Sequence, residues 1–155
     1  MSFMRSLSLA IELATDRRDE ASRQLAQVQR TQASAHDQMQ QLERYALDSE
    51  GRWMGSAQVS MDPEVLRHHY QFMDRLRHAI GLQSDVLLNL QGQVEQARRQ
   101  LLEAETRLAG LNKVLQRKQQ EQLRALERRD QRQTDEFATQ QYLRAQRELA
   151  HGEPI

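Results

Sequence analysis

Five histidines have the broadest chemistry in this sequence, because histidine can ligate metal ions or transfer protons near neutral pH. His68 and His69 are adjacent, and His78 follows ten residues after His68. Adjacent side chains on a helix point about 100° apart, so His68 and His69 cannot share one ion, and His78 aligns with neither. We therefore predict no metal site and read the histidines as surface or seam residues.

Asp135 and Glu136 are adjacent carboxylates and could, by type, act as a general acid and base. That chemistry needs a perturbed pKa, which requires burial or a like charge facing the same space. Two adjacent helical residues diverge, and no histidine lies close by. The sequence also contains no phosphate-binding glycine loop, no nucleophile elbow, no H-E-x-x-H motif and no cysteine. We predict a protein that is not an enzyme and needs no cofactor.

Arginines cluster toward the end of the chain and raise the question of nucleic-acid binding. Residues 116–150 hold 8 Lys and Arg against 6 Asp and Glu, a net charge of +2. The acids are interspersed, as in the i,i+4 pair Arg132 and Glu136, which supports a helix but weakens a phosphate-binding surface. The whole chain carries no net charge. We predict no nucleic-acid partner.

The composition indicates the elements that must position these residues. In 155 residues, charged side chains reach 28% and aromatic ones only 5%, with 2 prolines and 6 glycines. This profile is typical of long helices that bury a narrow stripe. No apolar run approaches the ~18 residues of a membrane helix, so we predict no direct membrane insertion.

Apolar residues recur every seven positions in the first fifty residues, in two interleaved columns. The 3–4 alternation is that of a coiled coil and predicts a first helix over residues 5–48. One column is Leu7, Ala14, Ala21, Val28, Ala35 and Leu42; the other is Ile11, Arg18, Leu25, Gln32, Met39 and Ala46.

The pattern stops over residues 49–62, which we predict to form the turn. Gly51 and Gly55 interrupt the first helix, and Asp62 followed by Pro63 is typical of a new helix start. Trp53 falls in this connection, either as a lid over the end of the hairpin or as an exposed contact.

The second helix carries a longer heptad seam, which predicts pairing over residues 63–115. Its columns are Leu66, Met73, Ile80, Leu87, Val94, Leu101, Leu108, Leu115 and His69, Leu76, Gln83, Leu90, Ala97, Ala104, Leu111, Lys118. The spacing then changes to eleven, through Leu115, Leu126 and Phe137. We predict a single all-α domain over 1–155: an antiparallel two-helix coiled-coil hairpin whose second helix overhangs unpaired over 116–149, before a tail at 150–155.

One flank of this hairpin is apolar where a two-helix coiled coil is normally polar. Tyr45, Phe72 and Ala79 should gather beside Leu42 and Leu76. An apolar flank with no third helix is a candidate docking surface. The alternative is that these side chains shield a thin seam or mediate self-association.

The assembled residues resemble the flagellar export protein FliJ family. Phe3, Leu7 and Ala14 resemble its first helix, and Asp135–Glu136–Phe137–Ala138 resembles its acidic C-terminal signature. Ser49 and Gln83 depart from the family pattern, which has an aromatic residue and a histidine there. The stretch around the turn carries most of the resemblance, through Leu42, Tyr45, Phe72, Leu76, Ala79, Ile80 and Gln83.

The resemblance implies a cytoplasmic coiled coil, peripheral to the inner face of the cell membrane at the flagellar base and similar to the central stalk of rotary ATPases. It would enter the hexameric ring of the export ATPase, promote its activity, couple it to the transmembrane export gate and assist substrate chaperones. The residues implied to face the gate are Gln38, Leu42, Tyr45, Phe72, Leu76 and Ala79.

A second partner contact is expected at Asp135, Glu136 and Phe137, because an unpaired helix must bury its apolar stripe on another protein, for which we expect the ATPase ring. Two alternatives stay open: a structural scaffold that self-associates and a nucleic-acid-binding coiled coil. The sequence does not distinguish a flagellar from a virulence-type secretion system.

Overall fold

Two long helices make up the part of the chain that the structure describes. In the computed structural model, which describes residues 2–56 and 62–152, α1 spans Phe3–Ser56 and α2 spans Pro63–Gly152, without strands in those ranges. Contacts between the helices run in opposite order, since Tyr45 meets Phe72 whereas the earlier Ala35 meets Gln83. The helices are therefore antiparallel, and the predicted all-α hairpin with a longer second helix is confirmed.

Both helices begin at side-chain caps. The Ser2 hydroxyl accepts a hydrogen bond from the backbone N–H of Arg5 at 3.3 Å. The Asp62 carboxylate accepts one from the backbone N–H of Glu64 at 3.1 Å. These bonds satisfy backbone donors that have no partner within a first helical turn. The predicted start of the second helix at Asp62 and Pro63 is confirmed.

The end of α1 differs from the sequence-based expectation. The helix continues to Ser56 rather than stopping near residue 48, and Gly51 and Gly55 are both helical. A helical glycine costs only about 1 kcal/mol, and packing of this part of α1 against α2, where Trp53 stacks on His69, offsets that cost. Residues 49–56, which the sequence predicts to belong to the turn, are therefore helical. Residues 57–61 lie outside the described ranges.

The chain falls into two compact units, of which one is Glu12–Leu108. This unit is the body of the hairpin, and its buried side chains all belong to the predicted heptad columns. They are Ala14, Ala35, Met73, Leu76, Leu90, Val94, Ala97 and Leu108. Three of the eight are alanines, so the seam brings the helices close but buries little area per turn.

The other unit consists of Met1–Ile11 and Ala109–Ile155. Within it Leu7 is buried, and the Lys118 ammonium lies 5.2 Å from the centre of the Phe3 ring, a cation–π contact. Every described residue after Lys118 is exposed. We call residues 119–152 the C-terminal segment. Packing ends three residues beyond the predicted limit at Leu115, and the assignment of the whole chain to a single domain stays a prediction.

Candidate docking surfaces

Tyr45 on α1 and Phe72 on α2 form an aromatic pair between the helices. Their ring centroids are 5.5 Å apart and the planes meet at 81°, the edge-to-face arrangement that aromatic quadrupoles favour. Tyr45 is 52% exposed, whereas Phe72 is half-buried. The pair therefore joins the helices and still presents a ring to solvent. The structure brings the two residues together as the sequence predicts, and their role in docking stays a prediction.

The other apolar members of the predicted surface are more enclosed. Leu76 is only 7% exposed and belongs to the seam, while Leu42 and Ala79 are half-buried. We call the six predicted residues the docking patch: Gln38, Leu42, Tyr45, Phe72, Leu76 and Ala79. Leu76 can act in the patch only by supporting its neighbours, so the apolar surface that a partner could reach is centred on Tyr45.

Gln83 marks one edge of the docking patch. Its side-chain amide donates a hydrogen bond to the Ala35 carbonyl at 2.8 Å and another to the Gln38 side-chain oxygen at 3.3 Å. A polar residue in a seam column, bonded to the opposite helix, fixes the register at some cost in stability. The same contact orients Gln38, which is itself exposed. The departure from the family pattern at Gln83 therefore has a structural role in this chain.

Charged side chains border the patch on its other side. Arg77 lies 3.7 Å from the Glu50 carboxylate on α1 and 3.7 Å from the Asp74 carboxylate on α2. All three side chains are well exposed, so water and salt screen these ion pairs and they add little stability. They give the patch an apolar centre with a charged margin, the make-up common to protein–protein interfaces.

Trp53 stacks on His69 of α2 instead of standing free in a connection. The ring centroids are 4.1 Å apart with an angle of 6° between the planes, and His69 is also 5.9 Å from the Tyr70 ring. Trp53 is half-buried. Of the two interpretations offered for Trp53, the geometry favours the lid over the exposed contact, although the residue lies on α1 and not in the turn.

The structure directs Asp135, Glu136 and Phe137 to different sides of α2, since consecutive helical residues diverge by about 100°. Asp135 accepts a hydrogen bond from the Gln131 amide at 3.3 Å, and Phe137 is 62% exposed. One partner helix cannot contact all three side chains. Arg132 and Glu136, the i,i+4 pair noted in the sequence, form no ion pair in the described ranges.

The C-terminal segment exposes large apolar side chains along its length. Leu126 and Phe137 continue the eleven-residue spacing from Leu115, which places them on nearly one face of the helix. Leu115 is half-buried, whereas the two later residues are exposed. The exposed set is Leu123, Leu126, Phe137, Tyr142, Leu143 and Leu149.

A groove that the sequence did not predict runs beside the hairpin seam in Glu12–Leu108. It is lined by Val28 on α1 and by Leu88, Gly92 and Ala97 on α2, and Leu88 is 67% exposed. An available signal was Leu88 itself, an apolar residue outside both heptad columns.

No group of three or more His, Asp or Glu residues in the described ranges could hold a metal ion. The His69 ring stacks on the Trp53 ring. Across residues 2–56 and 62–152, neither helix has a stretch long and apolar enough to cross a bilayer.

Comparison with known proteins identifies the family. Neither a curated protein nor a solved structure matches this chain. The family model described as Flagellar FliJ protein matches residues 4–147, which covers both helices, the docking patch and most of the C-terminal segment. The chain therefore belongs to the FliJ family of flagellar export components.

Proposed function

We propose that this protein is a non-catalytic stalk of the flagellar export apparatus that engages the export ATPase ring and couples it to the export gate. Membership of the FliJ family supports a role in flagellar export. The observation that carries the finer proposal is the C-terminal segment, which is helical throughout yet buries no side chain. A single helix gains most of its stability from packing an apolar face, so this segment is built to meet a partner.

The ATPase ring is the partner we assign to the C-terminal segment. A helix without a second helix beside it is narrow, about 10–12 Å across with its side chains, and fits a central opening in a ring. Phe137 and Leu126 supply the apolar contacts there. Arginines and acids on the remaining faces supply polar contacts, and Asp135 and Glu136 belong to that set.

The docking patch is the surface we assign to the cytoplasmic side of the export gate. Tyr45 is the large aromatic ring there, and aromatic side chains with a polar tip are frequent anchors in protein–protein interfaces. Substrate chaperones would use the same protein as a transient binding site. A chain acting this way works in the cytoplasm, held at the inner face of the membrane through the gate and not by its own helices.

Replacement of Phe137 tests the ATPase assignment. We expect Phe137→Ala to lower stimulation of the export ATPase by roughly tenfold or more, because loss of a buried phenylalanine contact removes on the order of 2 kcal/mol of binding energy. Phe3→Ala is the matched control, since Phe3 is 56% exposed but lies at the start of α1, outside the C-terminal segment. Undiminished stimulation by Phe137→Ala would show that the ring does not contact this face.

A further inference from the structure

The apolar residues of the C-terminal segment are spaced so that they can pack against the same residues of a second, antiparallel copy. Leu126 and Phe137 share one face and lie eleven residues apart. If two copies run antiparallel about a two-fold axis between Gln131 and Arg132, Leu126 of each copy lies opposite Phe137 of the other. This alignment buries four large side chains that are otherwise exposed.

Charge also favours the antiparallel arrangement. Residues 124–132 carry four arginines and two acids, a net charge of +2, whereas residues 133–140 carry two acids and no base, a net charge of −2. The antiparallel alignment places the first stretch against the second in both directions. A parallel alignment in register would place +2 against +2 and −2 against −2, which is repulsive.

Arg129 and Glu136 provide a specific contact for this alignment. They are seven residues apart, so they lie on the same flank of the apolar face. In an antiparallel pair, that flank lies beside the same flank of the other copy. Along the helix axis, Arg129 of one copy is then only about 3 Å from the level of Glu136 of the other copy. The long arginine side chain can reach across this offset. Neither residue makes an ion pair within the described ranges.

We propose that the C-terminal segment binds the C-terminal segment of a second copy of this chain, antiparallel, through Leu126–Phe137 contacts and two symmetric Arg129–Glu136 ion pairs. The contact is two-fold symmetric and closes on itself, so it yields dimers and not filaments. It uses the face that we assign to the ATPase ring, so the two contacts exclude each other; this exclusion rests on the proposed function. The dimer itself goes beyond the proposed function and is tested on the chain alone.

A charge exchange between two variants tests the register. Sedimentation equilibrium of the full chain should show a reversible monomer–dimer equilibrium. The Arg129→Glu variant and the Glu136→Arg variant should each need a concentration about tenfold higher or more to dimerise. In either homodimer, residues 129 and 136 of the two copies carry like charges and face each other in both symmetric contacts. An equimolar mixture of the two variants should dimerise like the wild type, since every mixed pair then joins an arginine to a glutamate. The double variant Arg129→Glu/Glu136→Arg should also recover.

Three results of that experiment would overturn the proposal. A wild-type chain that stays monomeric up to high micromolar concentration has no such interface. A dimer that survives both single changes is formed by another surface. Failure of the mixed variants to associate, with helicity intact by circular dichroism, excludes the antiparallel register.

Cross-linking gives a second readout, because the chain has no cysteine of its own. Gln119 and Arg144 lie on the apolar face, and in the dimer Gln119 of one copy lies opposite Arg144 of the other. The two Gln119 residues of the dimer are about 37 Å apart, and so are the two Arg144 residues. Gln119→Cys mixed with Arg144→Cys should form disulfide-linked dimers under mild oxidation, and neither variant alone should do so. Cross-linking of Gln119→Cys with itself indicates a parallel pair and contradicts the proposal, as does absence of any cross-link.

Discussion

At the scale of single residues, the Tyr45–Phe72 pair both joins the two helices and presents an aromatic ring to solvent. Their edge-to-face contact joins α1 to α2, and Tyr45 nevertheless remains half in water. Position in the heptad pattern was sufficient to predict that the two rings meet. The same pattern places Leu76 in a seam column, and Leu76 is enclosed. It was not sufficient to predict how much of each ring stays exposed, since Phe72 is half-buried and Tyr45 is not.

Truncation of both rings separates docking from folding. We expect Tyr45→Ala/Phe72→Ala to abolish capture of the export gate's cytoplasmic domain in a pull-down. The lost edge-to-face contact alone lowers the free energy of unfolding by about 1 kcal/mol. Helicity by circular dichroism should not change. Tyr142→Ala is the control, since Tyr142 is exposed like Tyr45 but lies on the C-terminal segment. A collapse of helicity in the double variant would place the two rings in the core and remove the docking interpretation.

The same substitution, methionine to alanine, can be made at a seam position and at an exposed position to test whether the seam is packed. Met73 is 2% exposed in the seam, whereas Met54 near the end of α1 is 74% exposed. We expect Met73→Ala to lower the free energy of unfolding by about 2–3 kcal/mol, and Met54→Ala to change it by less than about 0.5 kcal/mol. Chemical denaturation followed by circular dichroism measures both. Similar losses in the two variants would mean that Met73 is not part of a packed seam.

At the scale of the helices, periodicity predicted the seam but not the end of α1. Spacing alone places Met73, Val94 and Leu108 in the seam, and they are buried. Helix propensity predicts that the helix ends at Gly51 and Gly55, yet α1 continues through them. Tertiary contact decided the outcome, and no local pattern contains the pairing of Trp53 with His69. The groove at Leu88 was missed for a related reason, since heptad columns describe only the seam.

Gly92 provides a prediction for α2 as an element. It is an exposed helical glycine, and a Cβ added there would meet no atom within 4 Å. We expect Gly92→Ala to stabilise the fold by about 1 kcal/mol, the difference between the two residues in helix propensity. The midpoint of thermal unfolding should rise accordingly. A fall in the midpoint would contradict the open surroundings of Gly92, and no change would mean that unfolding is insensitive to this stretch of α2.

At the scale of the whole molecule, the two candidate surfaces belong to different units of the fold. The docking patch is part of Glu12–Leu108, and the C-terminal segment is part of the other unit. The patch is built on a paired hairpin and keeps its geometry through the seam. The C-terminal segment has no such support within its own unit, so its stability depends on what it binds. Removing one surface should therefore leave the other intact.

Ending the chain after Gln120 tests that separation. The described residues removed are all exposed, so we expect the free energy of unfolding of the remaining hairpin to change by less than about 0.5 kcal/mol. Stimulation of the export ATPase should be lost, while capture of the export gate should persist. The reciprocal behaviour is expected of Tyr45→Ala/Phe72→Ala, which keeps the C-terminal segment. If the shortened chain loses both activities with its hairpin still folded, the two surfaces act as one site and the assignment of separate partners is wrong.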